Sequence, residues 1–245
     1  MSDSKKVALI TGANKGIGFE IARQLGTKDI IVLIGARDQT RGGEAARKLR
    51  SEGIDASAVH LDVTDQVMIN TVASFIDETY GKLDVLVNNA GISIPEGRVP
   101  PSELDLEVFR KTYDTNVFGV FAVTKAMLPL LRRSDAGRIV NISSSVGSLT
   151  LNSDPKSFYA QMPPLLAYCS SKTAVNAITV FFANELRQTN IKVNSVSPGY
   201  VATDLNDHSG FLTPQQGAAL PVTFATLPED GPSGGFFEGN EAVPW

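Results

Sequence analysis

The chain has 245 residues, of which 42% are hydrophobic and 20% charged, and its net charge is −4. This profile is typical of a soluble globular domain with a large core and offers no basic surface for nucleic acid. The apolar runs are shorter than the ~18 residues that a membrane span needs, and residues 1–6 lack a signal peptide's apolar segment, so we expect a cytoplasmic protein. The single cysteine, Cys169, excludes an internal disulfide, and His60 and His208 are too few for a convincing metal cluster.

A glycine-rich turn follows the first predicted strand, residues 7–10, and precedes a helical pattern. Glycines permit a tight turn and let N–H groups at a helix start approach a pyrophosphate. The first two glycines are spaced more widely than in the common dinucleotide fingerprint, so a turn needed only for close packing is the alternative. If the turn binds a dinucleotide, its cofactor-binding residues are Gly12, Asn14, Lys15, Gly16, Ile17 and Gly18.

The second predicted strand, residues 30–34, ends close to Ala36 and Arg37. An acidic residue there would accept a hydrogen bond from the ribose 2′-hydroxyl of NAD, but Ala36 cannot. Arg37 instead offers a guanidinium suited to a 2′-phosphate, and Lys15 offers a second cation. The pattern predicts NADPH, or NADP+ in the reverse direction; the alternative is that both cations are solvated surface groups.

The third predicted strand, residues 56–61, leads into Asp62 and Val63. Ligands gather at the carboxyl ends of strands in these sheets, so Asp62 is a candidate acceptor for the adenine amino group. Either Asp65 or Thr64 caps the helix that follows.

The fourth predicted strand, residues 83–87, leads into Asn89, Ala90 and Gly91, where small residues would let a cofactor lie close. A simple turn is the alternative there. A proline-containing loop follows, and then a long helix is predicted over residues 106–132 with Asn116 near its middle. A buried Asn must have its polar ends satisfied and can hold a proton-relay water, whereas a surface amide is the simpler interpretation.

The fifth predicted strand, residues 138–142, is followed by Ser143, Ser144 and Ser145. A hydroxyl at this place can hydrogen-bond a substrate carbonyl oxygen, but the chemistry alone does not choose among three serines. A helix predicted over residues 168–186 then places Tyr168 and Lys172 one turn apart on one face. A nearby cation favours the phenolate, so Lys172 is expected to lower the pKa of Tyr168.

The sixth predicted strand, residues 191–196, ends at a turn whose backbone and hydroxyl groups suit a nicotinamide carboxamide; its candidates are Pro198, Gly199, Val201 and Thr203. An active-site insertion is expected at about residues 148–167 and a mobile lid at about residues 204–213. A last helix starts near Pro214, and residues 234–237 form a seventh strand before a packed tail. Candidates for an apolar substrate pocket are Ile94, Phe158, Tyr159, Met162 and Tyr200.

Taken together, the motifs resemble the short-chain dehydrogenase/reductase family over essentially the whole chain. The matching segments are Thr11-Gly12-x-x-x-Gly16-Ile17-Gly18, Asn88-Asn89-Ala90-Gly91, Asn116, Ser144-x-x-Gly147, Tyr168-x-x-x-Lys172 and Pro198-Gly199. The resemblance implies one α/β domain over residues 1–245, a Rossmann fold with a doubly wound, seven-stranded parallel sheet and helices on both faces.

The resemblance also implies the catalytic roles. Tyr168 is the general acid and base, and Ser144 positions the substrate oxygen. Lys172 lowers the pKa of the tyrosine and binds the nicotinamide ribose, and Asn116 anchors a relay water. Ser144 is chosen because it lies three residues after Asn141 and three before Gly147, and Ser143 is the runner-up.

Within the family, the glycine turn and residues 227–237 look like the NADPH-dependent carbonyl reductase branch. Its monomeric members carry a long insertion between the catalytic serine and tyrosine. Here the separation of 24 residues between Ser144 and Tyr168 is intermediate, so a monomer and a homo-oligomer both stay open.

Two functional hypotheses therefore follow. The first is an NADPH-dependent carbonyl reductase acting on a small-molecule ketone or aldehyde. The second is a nucleotide sensor or scaffold, which would be expected to have lost a catalytic group. An NAD-dependent alcohol dehydrogenase is the alternative enzyme, and Ala36 with Arg37 argues against it. Cys169 is expected to be a buried small hydrophobe, because neighbouring helix residues face different directions.

Overall fold

The computed structural model describes residues 5–163 and 165–245. The first four residues, on which part of the signal-peptide prediction rests, and Pro164 of the predicted insertion lie outside the described residues. Among the residues that the structure describes, no helix has the length and apolar character needed to cross a bilayer.

One twisted sheet forms the centre of the molecule, with strand order β3-β2-β1-β4-β5-β6-β7-β8. The strands are β1 Val7–Thr11, β2 Ile31–Ala36, β3 Ala56–His60, β4 Val85–Asn88, β5 Arg138–Ile142, β6 Lys192–Ser197, β7 Phe236–Glu238 and β8 Glu241–Ala242. The residues of β1 and β5 are buried throughout, as in parallel strands covered on both faces.

Helices cover both faces of the sheet, which confirms the predicted doubly wound α/β architecture. One core packs α1, α2 and α8 against the sheet, and the other packs α3, α5 and α7. The helices are α1 Gly16–Gly26, α2 Gln39–Ser51, α3 Gln66–Tyr80, α4 Leu106–Tyr113, α5 Gly119–Leu131, α6 Leu149–Ser153, α7 Leu166–Glu185 and α8 Pro214–Ala225.

The predicted count of seven strands is wrong by one. Strands β1 to β7 all run parallel to one another. Strand β8 adds an antiparallel edge strand through a hairpin with β7. Gly239 takes a left-handed φ of 58° in the tight turn between them. A strand of two residues is too short to show an alternating pattern, so it cannot be predicted from periodicity.

The helix predicted over residues 106–132 is interrupted. Helix α4 passes into a π-helical turn, Asp114–Phe118, before α5 begins. Such π turns occur frequently at functional sites, and this one holds Asn116. Helix α7 starts at Leu166, so it includes the last two residues of the predicted insertion.

The cap of α3 is resolved in favour of Asp65. Its side chain accepts hydrogen bonds from the backbone N–H groups of Val67 and Met68, at 2.8 and 3.0 Å. These bonds satisfy two of the free donors of the first turn. Thr64 instead hydrogen-bonds Asp62, so it does not cap the helix.

Candidate active site

The predicted functional segments meet at one edge of the sheet. The glycine turn follows β1, residues 89–91 follow β4, the serine triplet follows β5 and the Pro198 turn follows β6. These four strands are consecutive parallel neighbours, so their carboxyl ends lie side by side. Open α/β sheets bind their ligands in the crevice outside such ends.

The glycines of the turn are required for two different reasons. Gly12 and Gly16 have left-handed φ values of 65° and 59°. A Cβ on Gly12 would lie 3.0 Å from Cα of Ala90, and a Cβ on Gly18 would lie 2.4 Å from Nδ2 of Asn89. Close packing therefore accounts for Gly18 and contributes at Gly12, whereas Gly16 is needed mainly for its backbone conformation.

The start of α1 has the features of an anion site. Lys15 is the N-cap residue in an extended conformation, and its side chain makes no capping hydrogen bond. The first turn carries no acidic residue, so its N–H groups have no side-chain acceptor. Asn14 and Ile17 are half-buried beside it. Free N–H groups and the positive end of the helix dipole fit a pyrophosphate, so the residues present suit a dinucleotide cofactor.

Hydrogen bonds fasten the glycine turn to the loop after β4. The side chain of Asn89 donates to the carbonyl oxygens of Thr11 and Gly12, at 2.8 and 3.2 Å. In return, Oγ1 of Thr11 accepts from the backbone N–H groups of Asn89 and Ala90. The loop after β4 therefore stabilises the glycine turn, so it is more than the simple turn that the sequence left as the alternative.

The end of β2 presents a cation without a neighbouring free carboxylate. Ala36 is buried and Arg37 is exposed. The next residue, Asp38, is committed to α2, where it accepts from the backbone N–H of Arg41 at 3.0 Å. Lys15 forms an ion pair with Asp204. Of the two cations predicted to bind the phosphate, Lys15 is therefore paired, whereas Arg37 forms no ion pair within the described chain.

The exit of β3 positions Asp62 and Val63. One carboxylate oxygen of Asp62, Oδ1, accepts from the N–H and hydroxyl of Thr64, at 2.9 and 2.7 Å. These bonds fix the carboxylate and leave Oδ2 for an outside donor. Val63 is buried against Gly119, where a Cβ would lie 2.8 Å from Cγ2 of Val63.

The three serines after β5 have different partners. Ser143 is buried and its hydroxyl donates to Oδ1 of Asn176 at 2.7 Å. Ser145 hydrogen-bonds the carboxylate of Glu238. Ser144 is half-buried, and its side chain is near enough to the Tyr168 phenol to oppose the rise in the pKa of that phenol. Of the two candidates that the sequence left open, Ser144 is therefore the one turned toward Tyr168.

Tyr168 and Lys172 lie on one face of α7, as their spacing predicts. The Lys172 Nζ is 5.5 Å from the centroid of the Tyr168 ring. It donates to the carbonyl oxygen of Ile142 at the end of β5, at 2.9 Å. A Cβ on Gly147 would lie 2.7 Å from Cβ of Lys172, so this glycine lets the serine loop approach the helix.

Burial sets the pKa of both groups. It lowers the pKa of Lys172 to about 8, because the charged ammonium loses hydration. Burial raises the pKa of Tyr168 above its ordinary value, assisted by Cys169 and opposed by the nearby Ser144 side chain. Any lowering of the phenol pKa by Lys172 therefore acts against a larger opposing effect of burial.

Asn116 is fully buried, which excludes the surface-amide alternative. Its Oδ1 accepts from the N–H of Ile92 at 2.8 Å, and its Nδ2 donates to the carbonyl of Ile92 and to Oγ of Ser171. A Cβ on Gly91 would lie 3.4 Å from Oδ1 of Asn116 and 3.6 Å from Nζ of Lys172. Asn116 thus ties the loop after β4 to α7 close to the lysine.

A chain of buried amides also holds α7 on the sheet, and no sequence motif predicted it. Asn88 donates to Thr124 of α5 at 2.9 Å and to Oδ1 of Asn141 at 2.8 Å. Asn141 then donates to Thr179 of α7 at 2.8 Å. The bonds cross from β4 through β5 to α7, so they fix the helix that carries Tyr168.

The turn after β6 closes the other side of the crevice. Gly199 has a left-handed φ of 79°. Val201 forms an isolated bridge with Leu212, and a methyl group of Thr203 approaches Gly16. The predicted lid folds back on this turn, with hydrogen bonds from residues 211 and 212 to the carbonyl of Tyr200. Its movement stays a prediction.

The five predicted pocket residues fall in three places. Ile94 is half-buried at the start of a 3-10 turn, Pro95–Gly97, that packs against α7. Phe158 is 73% exposed and stacks edge-to-face on the half-buried Tyr159 in the insertion, where Met162 is also half-buried. Tyr200 stacks on Phe211 of the predicted lid.

Two carboxylates at the site were missed by the sequence analysis. Asp204 pairs with Lys15, and Lys15 lowers the pKa of that carboxyl. Glu238 lies beside Ser145 at the end of β7. The signal that could have found Glu238 is its position directly after the predicted seventh strand, the same position that Asp62 has after the third. Cys169 is half-buried, and burial raises the pKa of its thiol to about 11.

Comparisons with known proteins agree with this geometry. The model of the short chain dehydrogenase family matches residues 6–210. The chain is 36% identical to (−)-isopiperitenone reductase of Mentha piperita, with 99% of each chain covered. It is 34% identical to carbonyl reductase [NADPH] 1 of Rattus norvegicus, with 100% of each covered.

A solved structure is similar over nearly the same length. The salutaridine reductase of Papaver somniferum superposes with a TM-score of 0.83 at 33% identity, covering 95% of this chain and 99% of that one. Three findings lead to one conclusion. They are the match to the family model, the relatives named as reductases, and the arrangement of Ser144, Tyr168 and Lys172. The chain belongs to the short-chain dehydrogenase/reductase family of oxidoreductases.

Proposed function

We propose that this protein is an NADPH-dependent carbonyl reductase that converts a ketone or aldehyde to an alcohol, with Tyr168 as the proton donor. The observation that carries the proposal is the grouping of Ser144, Tyr168 and Lys172: the Ser144 side chain is near enough to the Tyr168 phenol to oppose the rise in its pKa, and Nζ of Lys172 lies 5.5 Å from the Tyr168 ring centroid. Two hydroxyl groups this near to each other can both contact a single carbonyl oxygen. The cytoplasmic location stays a prediction, and both a monomer and a homo-oligomer are compatible with the proposal.

In the proposed reaction some residues bind the substrate and others transfer the proton. Bound NADPH supplies the hydride that adds to the carbonyl carbon. The Ser144 hydroxyl donates a hydrogen bond to the substrate oxygen and holds it against Tyr168. The Tyr168 hydroxyl gives its proton to the same oxygen as negative charge develops there. Lys172 stabilises the resulting phenolate, and in alcohol oxidation Tyr168 takes the proton back.

Burial raises the pKa of Tyr168, so the phenol is protonated near neutral pH, which is the state that reduction needs. The same shift makes the phenol a weaker acid, so release of its proton has to be assisted. A cationic group beside it then favours release of the proton. The side chain of Asn116 already hydrogen-bonds Ile92 and Ser171. We therefore propose that Asn116 anchors the relay water through its position in the π turn and not through its side-chain amide.

The cofactor would lie across the carboxyl edge of the sheet. The start of α1 would hold the pyrophosphate, the residues after β3 would hold the adenine end, and the residues after β6 together with α7 would hold the nicotinamide end. The proposed contacts are Gly12, Asn14, Lys15, Gly16, Ile17, Gly18, Arg37, Asp62, Val63, Asn89, Ala90, Gly91, Tyr168, Lys172, Pro198, Gly199, Val201 and Thr203.

The choice of NADPH over NADH rests on the end of β2. Ala36 leaves no carboxylate for the ribose 2′-hydroxyl, and Arg37 is exposed without an ion pair in the described chain. The relative named carbonyl reductase [NADPH] 1 supports the same preference. A nucleotide sensor is disfavoured because Asn116, Ser144, Tyr168 and Lys172 are all present and assembled.

The direct test is turnover. The purified protein is expected to oxidise NADPH in the presence of members of a panel of aromatic ketones, α-keto esters, diketones and quinones, and to do so faster than NADH. The rate is followed by the loss of reduced-cofactor absorbance. Tight NADPH binding without turnover of any carbonyl would favour the sensor, and faster turnover with NADH would favour an NAD-dependent enzyme.

Arg37→Ser tests the cofactor preference separately. The loss of a charge-assisted hydrogen bond should raise the KM for NADPH roughly 10- to 100-fold, because such bonds contribute about 1.5–3 kcal/mol. The KM for NADH should stay within a factor of about two, since NADH has no 2′-phosphate for Arg37 to bind. Arg47→Ser, at an exposed position on α2, is the matched control. An equal rise for both cofactors would contradict the role of Arg37.

A further inference from the structure

Glu238 places a carboxylate beside the proposed catalytic serine. It ends β7, where its register partner on β6 is Ser197. Phe236 and Glu238 face one side of the sheet, whereas Phe237 packs into the core on the other side. The Glu238 carboxylate reaches Oγ of Ser145, the residue that follows Ser144. Strand β7, which lies between β6 and the edge strand β8, therefore brings an acidic group to the residue that follows the proposed catalytic serine.

Tyr159 links this carboxylate to the predicted substrate pocket. Burial raises the pKa of the Tyr159 phenol, and the negative charge of Glu238 raises it further. The nearby Ser145 side chain acts in the opposite direction. Glu238 contacts Ser145, and both groups influence the pKa of Tyr159, so the three side chains lie near one another; they are called the pocket cluster below.

The charge of the pocket cluster has no counter-ion. In residues 5–163 and 165–245, no lysine, arginine or histidine lies within 4 Å of the Glu238 carboxylate. Its register partner across the hairpin is another carboxylate residue, Glu241. Lys172, the cation of the site, is directed to the carbonyl of Ile142.

One oxygen of Glu238 is available for a ligand. Its Oε2 bonds Ser145, and within the described chain its Oε1 has no hydrogen-bond partner. The residue is half-buried, so water screens its charge less than it would at an exposed position. An unpaired carboxylate in a partly desolvated site favours a cation and disfavours an anion.

We propose that Glu238 is a specificity-determining residue that selects carbonyl substrates carrying a cationic amino group. The ammonium lies against Oε1 of Glu238 while the carbonyl oxygen meets Ser144 and Tyr168. This inference rests on the proposed reductase function, because it assigns the substrate class of that same site. Ketones that bear a carboxylate are poor substrates by the same reasoning.

The test compares two aryl ketones that differ in one group, a trimethylammonium in the first and an uncharged tert-butyl of the same shape in the second. The wild-type protein is expected to have a kcat/KM at least tenfold higher for the cationic ketone. Glu238→Gln keeps an oxygen for Ser145 and should lower kcat/KM for the cationic ketone at least tenfold. It should leave the neutral ketone within twofold of the wild-type value.

Two further variants control for charge and folding. Glu241→Gln removes the exposed neighbouring carboxylate and should leave the preference in place. Glu238→Lys should invert the preference toward the neutral ketone. If Glu238 only supports Ser145, Glu238→Gln will change both substrates equally, and that result would overturn the proposal, as would equal wild-type kcat/KM values.

A binding measurement separates this proposal from the reductase function. Calorimetric titration of the two ketones into the protein saturated with NADP+ should show tighter binding of the cationic one, and Glu238→Gln should remove the difference. If no carbonyl is reduced, the proposed reductase function fails while this comparison still tests Glu238. If turnover occurs without any charge preference in binding or rate, only the role of Glu238 fails.

Discussion

Replacing Tyr168 with Phe is expected to lower kcat for carbonyl reduction about a thousandfold, since a positioned general acid contributes roughly 10²–10⁴-fold to a rate. Phe keeps the ring that packs on α7 but has no proton to give to the substrate oxygen. The affinity for NADPH should change little, because the cofactor's proposed contacts come mainly from the loops after β1, β4 and β6. Steady-state rates and fluorescence titration of NADPH separate the two effects.

Tyr80→Phe is the matched control for this variant. Tyr80 also carries a phenol, but it lies on α3, where it stacks edge-to-face on Phe75. Its replacement should leave kcat unchanged. If Tyr168→Phe keeps more than a tenth of the wild-type kcat while Tyr80→Phe behaves normally, another group donates the proton and the proposed mechanism is wrong.

Replacing Lys172 with Met is expected to lower kcat/KM about a hundredfold, the typical effect of removing one preorganised electrostatic group. Met fills a similar volume but cannot stabilise the phenolate of Tyr168. The same substitution should change how the free energy of unfolding depends on pH, because burial lowers the pKa of Lys172 from 10.5 to about 8.

The sign of that pH dependence follows from proton binding. Below pH 8 the lysine is protonated in both the folded and the unfolded state, and the buried charge destabilises the fold in full. Between about pH 8 and 10.5 the unfolded state binds more protons, so the wild-type protein gains stability as pH rises. The gain should approach about 3 kcal/mol, at 1.36 kcal/mol per pKa unit.

Urea unfolding of the wild-type protein and of Lys172→Met at several pH values measures the effect. The difference between their unfolding free energies should shift by about 3 kcal/mol in favour of the wild-type protein across this window. Lys125→Met, which removes an exposed lysine from α5, serves as the control. A difference that is constant with pH would show that Lys172 is not desolvated as the structure indicates.

Local chemistry explains which predictions succeeded. The apolar run of β1 predicts a buried strand from consecutive residues. Asp65 caps α3 through backbone N–H groups two and three residues away, so this contact can also be predicted from the sequence. The four-residue spacing of Tyr168 and Lys172 is equally local, because a helix fixes it. The order of strands and helices then indicates where their loops meet.

The sequence shows where a residue lies along the chain, but it does not show which group its side chain faces in the folded protein. Ser143, Ser144 and Ser145 are chemically identical, and the backbone after β5 alone decides that one faces Asn176, one Tyr168 and one Glu238. The break between α4 and α5 is a further example. Continuous helical periodicity runs through a π turn in which Asn116 hydrogen-bonds the loop after β4, a contact between distant segments.

The sequence by itself determined the α/β class, the edge of the sheet where the predicted site residues meet and the residue types available there. Only the tertiary structure decided which groups are paired, because pairing depends on contacts between distant segments. Lys15 meets Asp204 and Ser145 meets Glu238 across 189 and 93 residues. Burial, which sets the pKa of Tyr168 and Lys172, is likewise a property of the assembled fold.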